Sequence, residues 1–174
     1  MSKKSTMPDV PVPPAAFYAE DRFCRQDSVG YLMRRIIQLL VTEVDHRLGD
    51  VGLTNAQWAP LFTMKKTGMS TLAELSRELR TDPGALTRTL DRLEAKGLVS
   101  RQRSTEDRRV VHLALTAEGE EAVAPVPGVL CEVMNAYLAG FTQEEWRTLL
   151  DMLRRMEANA EAFRARSDAA GSAE

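Results

Sequence analysis

The sequence has few of the residues that build metal centres and disulfide frameworks. Its 174 residues include two cysteines, Cys24 and Cys131, and two histidines, His46 and His112. The cysteines are far apart and form no CxxC pair, so the sequence predicts neither a zinc site nor a disulfide framework. It also contains no glycine-rich phosphate loop and no nucleophile elbow, which argues against an enzyme.

Long apolar runs are missing as well. The most apolar helical stretch, residues 31–44, is interrupted by Arg34, Arg35, Gln38 and Glu43, whereas a membrane span needs about 20 apolar residues. The first residues carry two lysines but no apolar core of a signal peptide. We therefore expect a soluble, cytoplasmic protein with a flexible tail over residues 1–26.

Charge is close to balanced overall but is unevenly distributed. The formal net charge is -2. Residues 77–109 hold nine cations and six anions, which gives that segment +3 and leaves -5 for the rest of the chain. A generic polyanion binder would be basic throughout, so the sequence instead indicates one localised cationic surface.

Most of the chain has the periodicity of amphipathic helices. Apolar spacing predicts helices over residues 28–48, 55–66, 71–79, 83–96 and 143–164. Capping boxes are predicted at Thr54, Thr71 and Thr142. We expect Pro60 to bend or shorten its helix, and Pro125 and Pro127 to interrupt the helix that begins after Thr116.

Two features in the middle of the chain indicate a winged helix-turn-helix. A three-residue link joins the helix over 71–79 to the helix over 83–96, whose Leu86, Leu90 and Leu93 face inward and whose outer face is polar and cationic. Two apolar alternations, residues 98–101 and 110–115, flank a charged loop and predict a β-hairpin. The predicted fold is mostly α with a small β-hairpin wing.

The charged loop and the residues after it carry a family resemblance. Asp107, Arg108, Arg109, Leu115, Thr116 and Gly119 resemble the D-x-R…LT…G signature of the MarR/SlyA family of transcription regulators. The segments GLTNAQWAPL, LAELSREL and PGALTRTLDRLEAKGLVSR follow the family's order and spacing, and the similarity is close from residue 52 to 119.

The resemblance implies a ligand-responsive homodimeric repressor on a palindromic operator, without a cofactor. It implies one domain over residues 27–166, with a DNA-binding core at about 52–119, dimerisation helices at about 28–49 and 120–165, and a disordered tail over 167–174. Two alternatives stay open. One is a thiol-based redox sensor that uses Cys24, and the other is a helical dimeric adaptor that recognises no operator.

The wing arginines are the first DNA-binding candidates. The resemblance places Arg109 in the minor groove, with Asp107 steadying it, while Arg108 shares that role or contacts phosphate. A planar guanidinium on a thin hairpin suits the narrow, electronegative minor groove better than an ammonium does. The alternative is an ordinary solvated charged turn.

The second helix of the helix-turn-helix supplies the major-groove candidates, because its first turns face base edges in such folds. They are Pro83, Gly84, Ala85, Thr87 and Arg88. We expect Arg92 to reach phosphate instead. The alternative for both arginines is a solvated helix face with weak ion pairs, in which Asp91 pairs with Arg88 or with neighbours of Arg92.

A ligand site is expected along one border of the first helix. In the family, small aromatic acids bind between the dimer helices and the DNA-binding lobe and weaken DNA binding. The candidates offer hydroxyls, guanidinium groups for a carboxylate, an imidazole for a phenol and an aromatic wall. They are Ser28, Tyr31, Arg34, Arg35, His46 and Trp58. The alternative is that the aromatic residues pack in the core or the dimer and that the arginines are solvated.

Overall fold

The computed structural model describes residues 15–49, 52–103 and 111–171. The chain forms two units, Met1–Leu39 and Leu40–Glu174. The boundary falls within the first long helix, α1 (Val29–Arg47). None of the described helices is long and apolar enough to cross a membrane.

The described part of the first unit is local structure without a buried side chain. Two 3-10 turns, Glu20–Arg22 and Arg25–Asp27, lie at the end of the stretch 1–26 that the sequence assigns to a flexible tail. The flexible tail stays a prediction. Helix α1 then begins with side-chain caps. The hydroxyl of Tyr18 accepts from the backbone N–H of Val29 at 3.0 Å, and Ser28 Oγ accepts from the N–H of Tyr31 at 3.3 Å.

The second unit holds the remaining helices and a hairpin. They are α2 (Asn55–Thr67), α3 (Leu72–Glu78), α4 (Pro83–Ala95), β1 (Val99–Arg103), β2 (Val111–Leu115), α5 (Ala117–Val123), α6 (Val126–Tyr137) and α7 (Gln143–Gly171). The mostly α fold with a two-stranded hairpin is as predicted.

Side-chain caps fix where the helices begin. Thr71 Oγ1 accepts from the N–H of Glu74 at 3.3 Å, and Glu74 Oε2 accepts from the N–H of Thr71 at 3.0 Å. Asp82 Oδ1 accepts from the N–H of Ala85 at 2.9 Å, directly before Pro83 opens α4. These contacts satisfy backbone donors that have no partner within the helix, and they confirm the predicted starts.

Two helices run further than the sequence predicts. Pro60 lies inside α2, yet the helix continues to Thr67, because the ring is fully buried in the core and only one backbone donor is lost. Helix α7 ends at Gly171 and so includes residues 167–171, where the sequence predicts a disordered tail. The extent of that tail stays a prediction. The predicted interruption is confirmed, since α5 ends at Val123 and α6 begins at Val126.

The hairpin is antiparallel and is joined to the start of α3. Val99 pairs with Leu115 at its base, and Arg103 pairs with Val111 at its outer end. The N–H of Leu113 donates to the carbonyl oxygen of Ser70 at 2.6 Å. An isolated antiparallel bridge between Thr71 and His112 also joins the hairpin to the residue that caps α3.

The core of the second unit lies beneath α4. Leu86, Leu90 and Leu93 are at most 2% exposed, which confirms the predicted inner face of this helix. They pack with buried residues of α2, α3, the hairpin, α5 and α6. Burial of this inner face fixes the orientation of α4, so that its polar and cationic face points to the solvent.

Candidate nucleic-acid interface

The link between α3 and α4 is a tight, braced turn. Arg80 has a positive φ of 48°, a left-handed conformation that is uncommon outside glycine. Ser76 Oγ donates to the carbonyl oxygen of Thr81 at 2.6 Å, and the N–H of Thr81 donates to the carbonyl oxygen of Ser76 at 3.1 Å. The two helices are thus held as a helix-turn-helix with α4 second.

The first turns of α4 present most of the predicted base-contacting residues. Pro83, Gly84 and Arg88 are exposed, whereas Ala85 and Thr87 are half-buried. Thr87 Oγ1 donates to the carbonyl oxygen of Pro83 at 2.7 Å. Because the hydroxyl proton is used in this hydrogen bond, the Thr87 oxygen can accept a hydrogen bond from DNA but cannot donate one.

Among the described residues, the arginines of α3, α4 and the hairpin fall into two groups, those that form an ion pair and those that form none. Arg77, Arg88, Arg92 and Arg103 are exposed and form no ion pair with any described residue. The ion pair predicted as an alternative between Arg88 and Asp91 is absent from the described part of the chain. Asp91 Oδ1 instead lies 2.7 Å from Arg101 Nη1.

Three other cations of the same segment are used within the fold. Arg101 Nη1 also contacts Glu94 Oε2 at 3.1 Å. Arg80 Nη2 contacts Glu161 Oε1 of α7 at 2.6 Å, and Lys96 Nζ donates to the carbonyl oxygen of Gly52 at 2.9 Å. Sequence reasoning missed these pairings, since they join residues that are adjacent only in the fold.

The predicted wing tip, with Asp107, Arg108 and Arg109, lies outside the described residues. The strands that lead to it are described on both sides. Arg103 on β1 and Val111 on β2 are paired and exposed at the outer end of the hairpin. Within the described hairpin, Arg101 of β1 contacts Asp91 and Glu94 of α4.

Comparison with known proteins agrees with this arrangement. The model of the MarR family matches residues 53–111. The transcriptional regulator PA3341 is 32% identical, with 78% of this chain and 99% of that chain covered and a TM-score of 0.70. The chain belongs to the MarR family. This MarR-family chain is a DNA-binding transcription regulator and not an enzyme, which leaves no support for the adaptor alternative.

Two further solved structures extend the comparison. A cysteine-to-serine variant of MarR from E. coli, complexed with operator DNA, is 29% identical, covers 74% of this MarR-family chain and 92% of its own, and has a TM-score of 0.67. BpsR from Bordetella bronchiseptica, whose DNA binding is regulated by 6-hydroxynicotinic acid, is 24% identical. It covers 78% of this chain and 97% of its own, with a TM-score of 0.70.

The ligand candidates of the first unit have local roles at the start of α1. Ser28 Oγ donates to the carbonyl oxygen of Arg25 at 2.8 Å, and the Arg25 guanidinium lies 5.1 Å from the centroid of the Tyr31 ring. Arg34 and Arg35 are exposed and form no ion pair with any described residue. Cys24 is an exposed free thiol; its redox role stays a prediction.

The ligand candidates of the second unit differ in burial. Trp58 is half-buried, packs against the core and donates from Nε1 to Asp45 Oδ1 at 3.3 Å. His46 is exposed. A cavity between the end of α6 and the start of α7, and another along the first turns of α7, are lined by none of the ligand candidates. Among described residues, no cluster of His, Cys, Asp and Glu could hold a metal ion.

Proposed function

We propose that this DNA-binding regulator is a homodimeric repressor of a palindromic operator, released by a small aromatic acid. The observation that carries the proposal is the outer face of α4, where Arg88 and Arg92 are exposed and form no ion pair with any described residue. Unpaired guanidinium groups on such a helix are free to bind base edges and phosphates.

Operator contact divides between α4 and the wing. Pro83, Gly84, Ala85, Thr87 and Arg88 face the major groove from the first turns of α4, and Arg92 contacts phosphate two turns from the start. Arg109 enters the minor groove with Asp107 beside it, and Arg108 contacts phosphate or shares the groove.

A second copy of the chain covers the apolar side chains that one copy leaves exposed. Helix α7 has 29 residues and no buried residue. Its large apolar side chains, among them Trp146, Leu153 and Phe163, are exposed. In the first unit, Leu32, Ile36 and Ile37 are each about half exposed as well. Apolar surface of this extent on a soluble chain marks an interface, and a symmetric dimer is the commonest arrangement that covers one.

The effector is an aromatic acid with a carboxylate and a hydroxyl. Among the described residues, Arg34 and Arg35 form no ion pair, and a guanidinium group can bind a carboxylate bidentately. Ser28 and Trp58, in contrast, already have hydrogen-bond partners in the fold. BpsR, which shares the fold, is regulated by a compound of this class. Arg34 and Arg35 are therefore the proposed anchors, and Tyr31, one helical turn before them in α1, is the proposed neighbour for a ring hydroxyl.

Replacement of Arg109 tests the proposed operator contact. A duplex selected by the wild-type protein from a random-sequence library serves as the probe. Because a lost arginine contact to DNA costs about 1 to 3 kcal/mol, Arg109→Ala is expected to weaken binding by about ten- to a hundredfold. Arg155→Ala on α7 removes the same charge and should bind like wild type. Unchanged affinity of Arg109→Ala in a fluorescence-anisotropy titration excludes the wing contact.

Replacement of the two α1 arginines tests the effector site. Arg34→Ala and Arg35→Ala should bind the selected duplex as wild type does, while 6-hydroxynicotinic acid and 4-hydroxybenzoate release the wild type but not the variant that lacks the anchor. Release of both variants at the wild-type concentration rules out these two residues. Absence of release from the wild type by either acid contradicts the proposed effector class.

A further inference from the structure

One charged cluster ties the hairpin to α4. A single nitrogen of Arg101 on β1, Nη1, lies 2.7 Å from Asp91 Oδ1 and 3.1 Å from Glu94 Oε2. The Arg101 side chain is 29% exposed, lower than any other charged side chain in the described ion pairs. This cluster of Arg101, Asp91 and Glu94 is called the hairpin clamp below.

The clamp lies where the hairpin leaves the core. Val99 and Leu113 are 2% and 5% exposed and hold the base of the hairpin. Arg101 pairs with Leu113 across the two strands, and the next residues on β1, Gln102 and Arg103, are exposed. Among the described residues, Arg101 is the outermost residue of β1 that forms an ion pair with α4.

The clamp works against simple attraction to DNA. Two carboxylates and one guanidinium leave one negative charge on the helix that carries Arg88 and Arg92, although phosphate repels negative charge. Removal of both carboxylates would make this surface more positive. What the clamp supplies instead is geometry, because Asp91 and Glu94 are three residues apart on one face of α4 and hold one side chain of β1.

We propose that Arg101 is a positioning residue that sets the direction of the wing relative to α4. The wing and α4 must reach two different grooves of the operator at the same time, so a hairpin that is fixed in advance avoids an ordering cost on binding. Arg101 acts through the wing and does not itself contact DNA. The proposal rests on the operator contacts proposed above.

A mutant cycle tests the hairpin clamp. The variants are Arg101→Gln, the double variant Asp91→Asn with Glu94→Gln, and the triple variant that combines them. Each is titrated with the duplex selected by the wild type and with a mixed-sequence duplex, over a range of salt concentrations. Thermal unfolding of each variant checks the fold, and hydrogen exchange of the peptide 99–115 reports on the hairpin independently of DNA.

The double variant gives the decisive result. It is expected to bind mixed-sequence DNA as well as wild type or about two- to threefold more tightly, since two anions are gone, yet to bind the selected duplex about tenfold more weakly. Arg101→Gln should weaken selected-duplex binding by a similar factor without changing the salt slope. The triple variant should bind the selected duplex no more weakly than Arg101→Gln or the double variant does, because each of those already lacks the interaction. Hydrogen exchange of the peptide 99–115 should be faster in all three variants than in the wild type.

Other outcomes overturn the proposal. Tighter binding of both duplexes by the double variant shows that the carboxylates only repel DNA. A salt slope lowered by about one in Arg101→Gln, with losses that add in the triple variant, shows that Arg101 contacts phosphate. If the wild type selects no duplex at all, the proposed operator binding fails instead of the clamp.

Discussion

Gly119 shows why the family signature requires a glycine after the hairpin. The hydroxyl of Thr116 accepts from the N–H of Gly119 at 3.0 Å and donates to the carbonyl oxygen of Gly97 at 2.6 Å. A Cβ added at Gly119 would overlap the carbonyl oxygen of Leu98. The cap at Thr116 draws α5 against the chain between α4 and β1 so closely that only a hydrogen fits.

The overlap predicts a large loss of stability on a small substitution. Gly119→Ala is expected to lower the free energy of unfolding by about 1 to 3 kcal/mol, since the opposing atom is backbone and cannot rotate away. Chemical denaturation measures the change. Gly128→Ala in α6 is the matched control, because among the described residues the added Cβ meets no atom within 4 Å beyond its chain neighbours and the backbone of its own helix. It should be neutral or stabilise by up to about 1 kcal/mol. Equal effects of the two substitutions contradict the close approach.

The sequence locates cations but not their partners. The excess of cations over residues 77–109 is visible in the sequence, whereas the engagement of Arg101 with Asp91 and Glu94 is not. Arg101 and its partners are in different elements, so no helical spacing brings them together. The hydrogen bond from Trp58 to Asp45 likewise joins two different helices. No local sequence pattern predicts it.

At the scale of the element, capping chemistry makes helix stability depend on pH. The pKa of Glu145 is lowered by hydrogen bonds from the backbone and the side chain of Thr142, at 2.8 and 3.0 Å. The pKa of Glu74 is lowered by the Thr71 hydroxyl and by the N–H groups of Ser70 and Thr71. A carboxyl with a lowered folded-state pKa stabilises the fold above its unfolded-state pKa. That contribution is lost as the pH falls through the folded-state pKa.

The cap at α7 can be tested by its pH dependence. Glu145→Gln should be less stable than wild type at neutral pH, because the amide lacks the charge that strengthens both hydrogen bonds. The difference in unfolding midpoint should shrink as the pH falls from neutral to about 3. Glu144→Gln, next to it, is the control, since Glu144 forms no hydrogen bond or ion pair with a described residue. A difference that stays constant with pH contradicts the cap.

Helix boundaries are predictable where a local contact sets them and less so where packing does. Thr71, Asp82 and Thr142 begin their helices as expected, because each cap involves residues only three positions apart. Pro60 was expected to bend or shorten α2, but the core buries its ring within an unshortened helix. Small residues near the end of α7 do not stop it before Gly171, since alanine favours the helix.

At the scale of the molecule, the burial pattern is uneven along the chain. Every buried hydrophobic residue among those described lies between Val44 and Val133. The fold class and the inner face of α4 can be predicted from apolar periodicity. What packs on the apolar face of α7 cannot be predicted in this way, because periodicity shows only that a face is apolar. The proposed second copy supplies the missing surface for α7.

The apolar face of α7 gives the test of the dimer. Leu153 lies in this face and is 38% exposed, and Ala158, five residues later, is exposed on the opposite side at about 100° per residue. Leu153→Glu should shift the protein from twice the chain mass toward the chain mass in light scattering, because burial of an unpaired carboxylate in an interface is costly. Binding to the selected duplex should weaken at the same protein concentration, since the two half-sites are no longer bound by one particle. Ala158→Glu adds the same charge and should leave both mass and affinity unchanged. A wild-type mass for Leu153→Glu means that α7 is not the dimer surface.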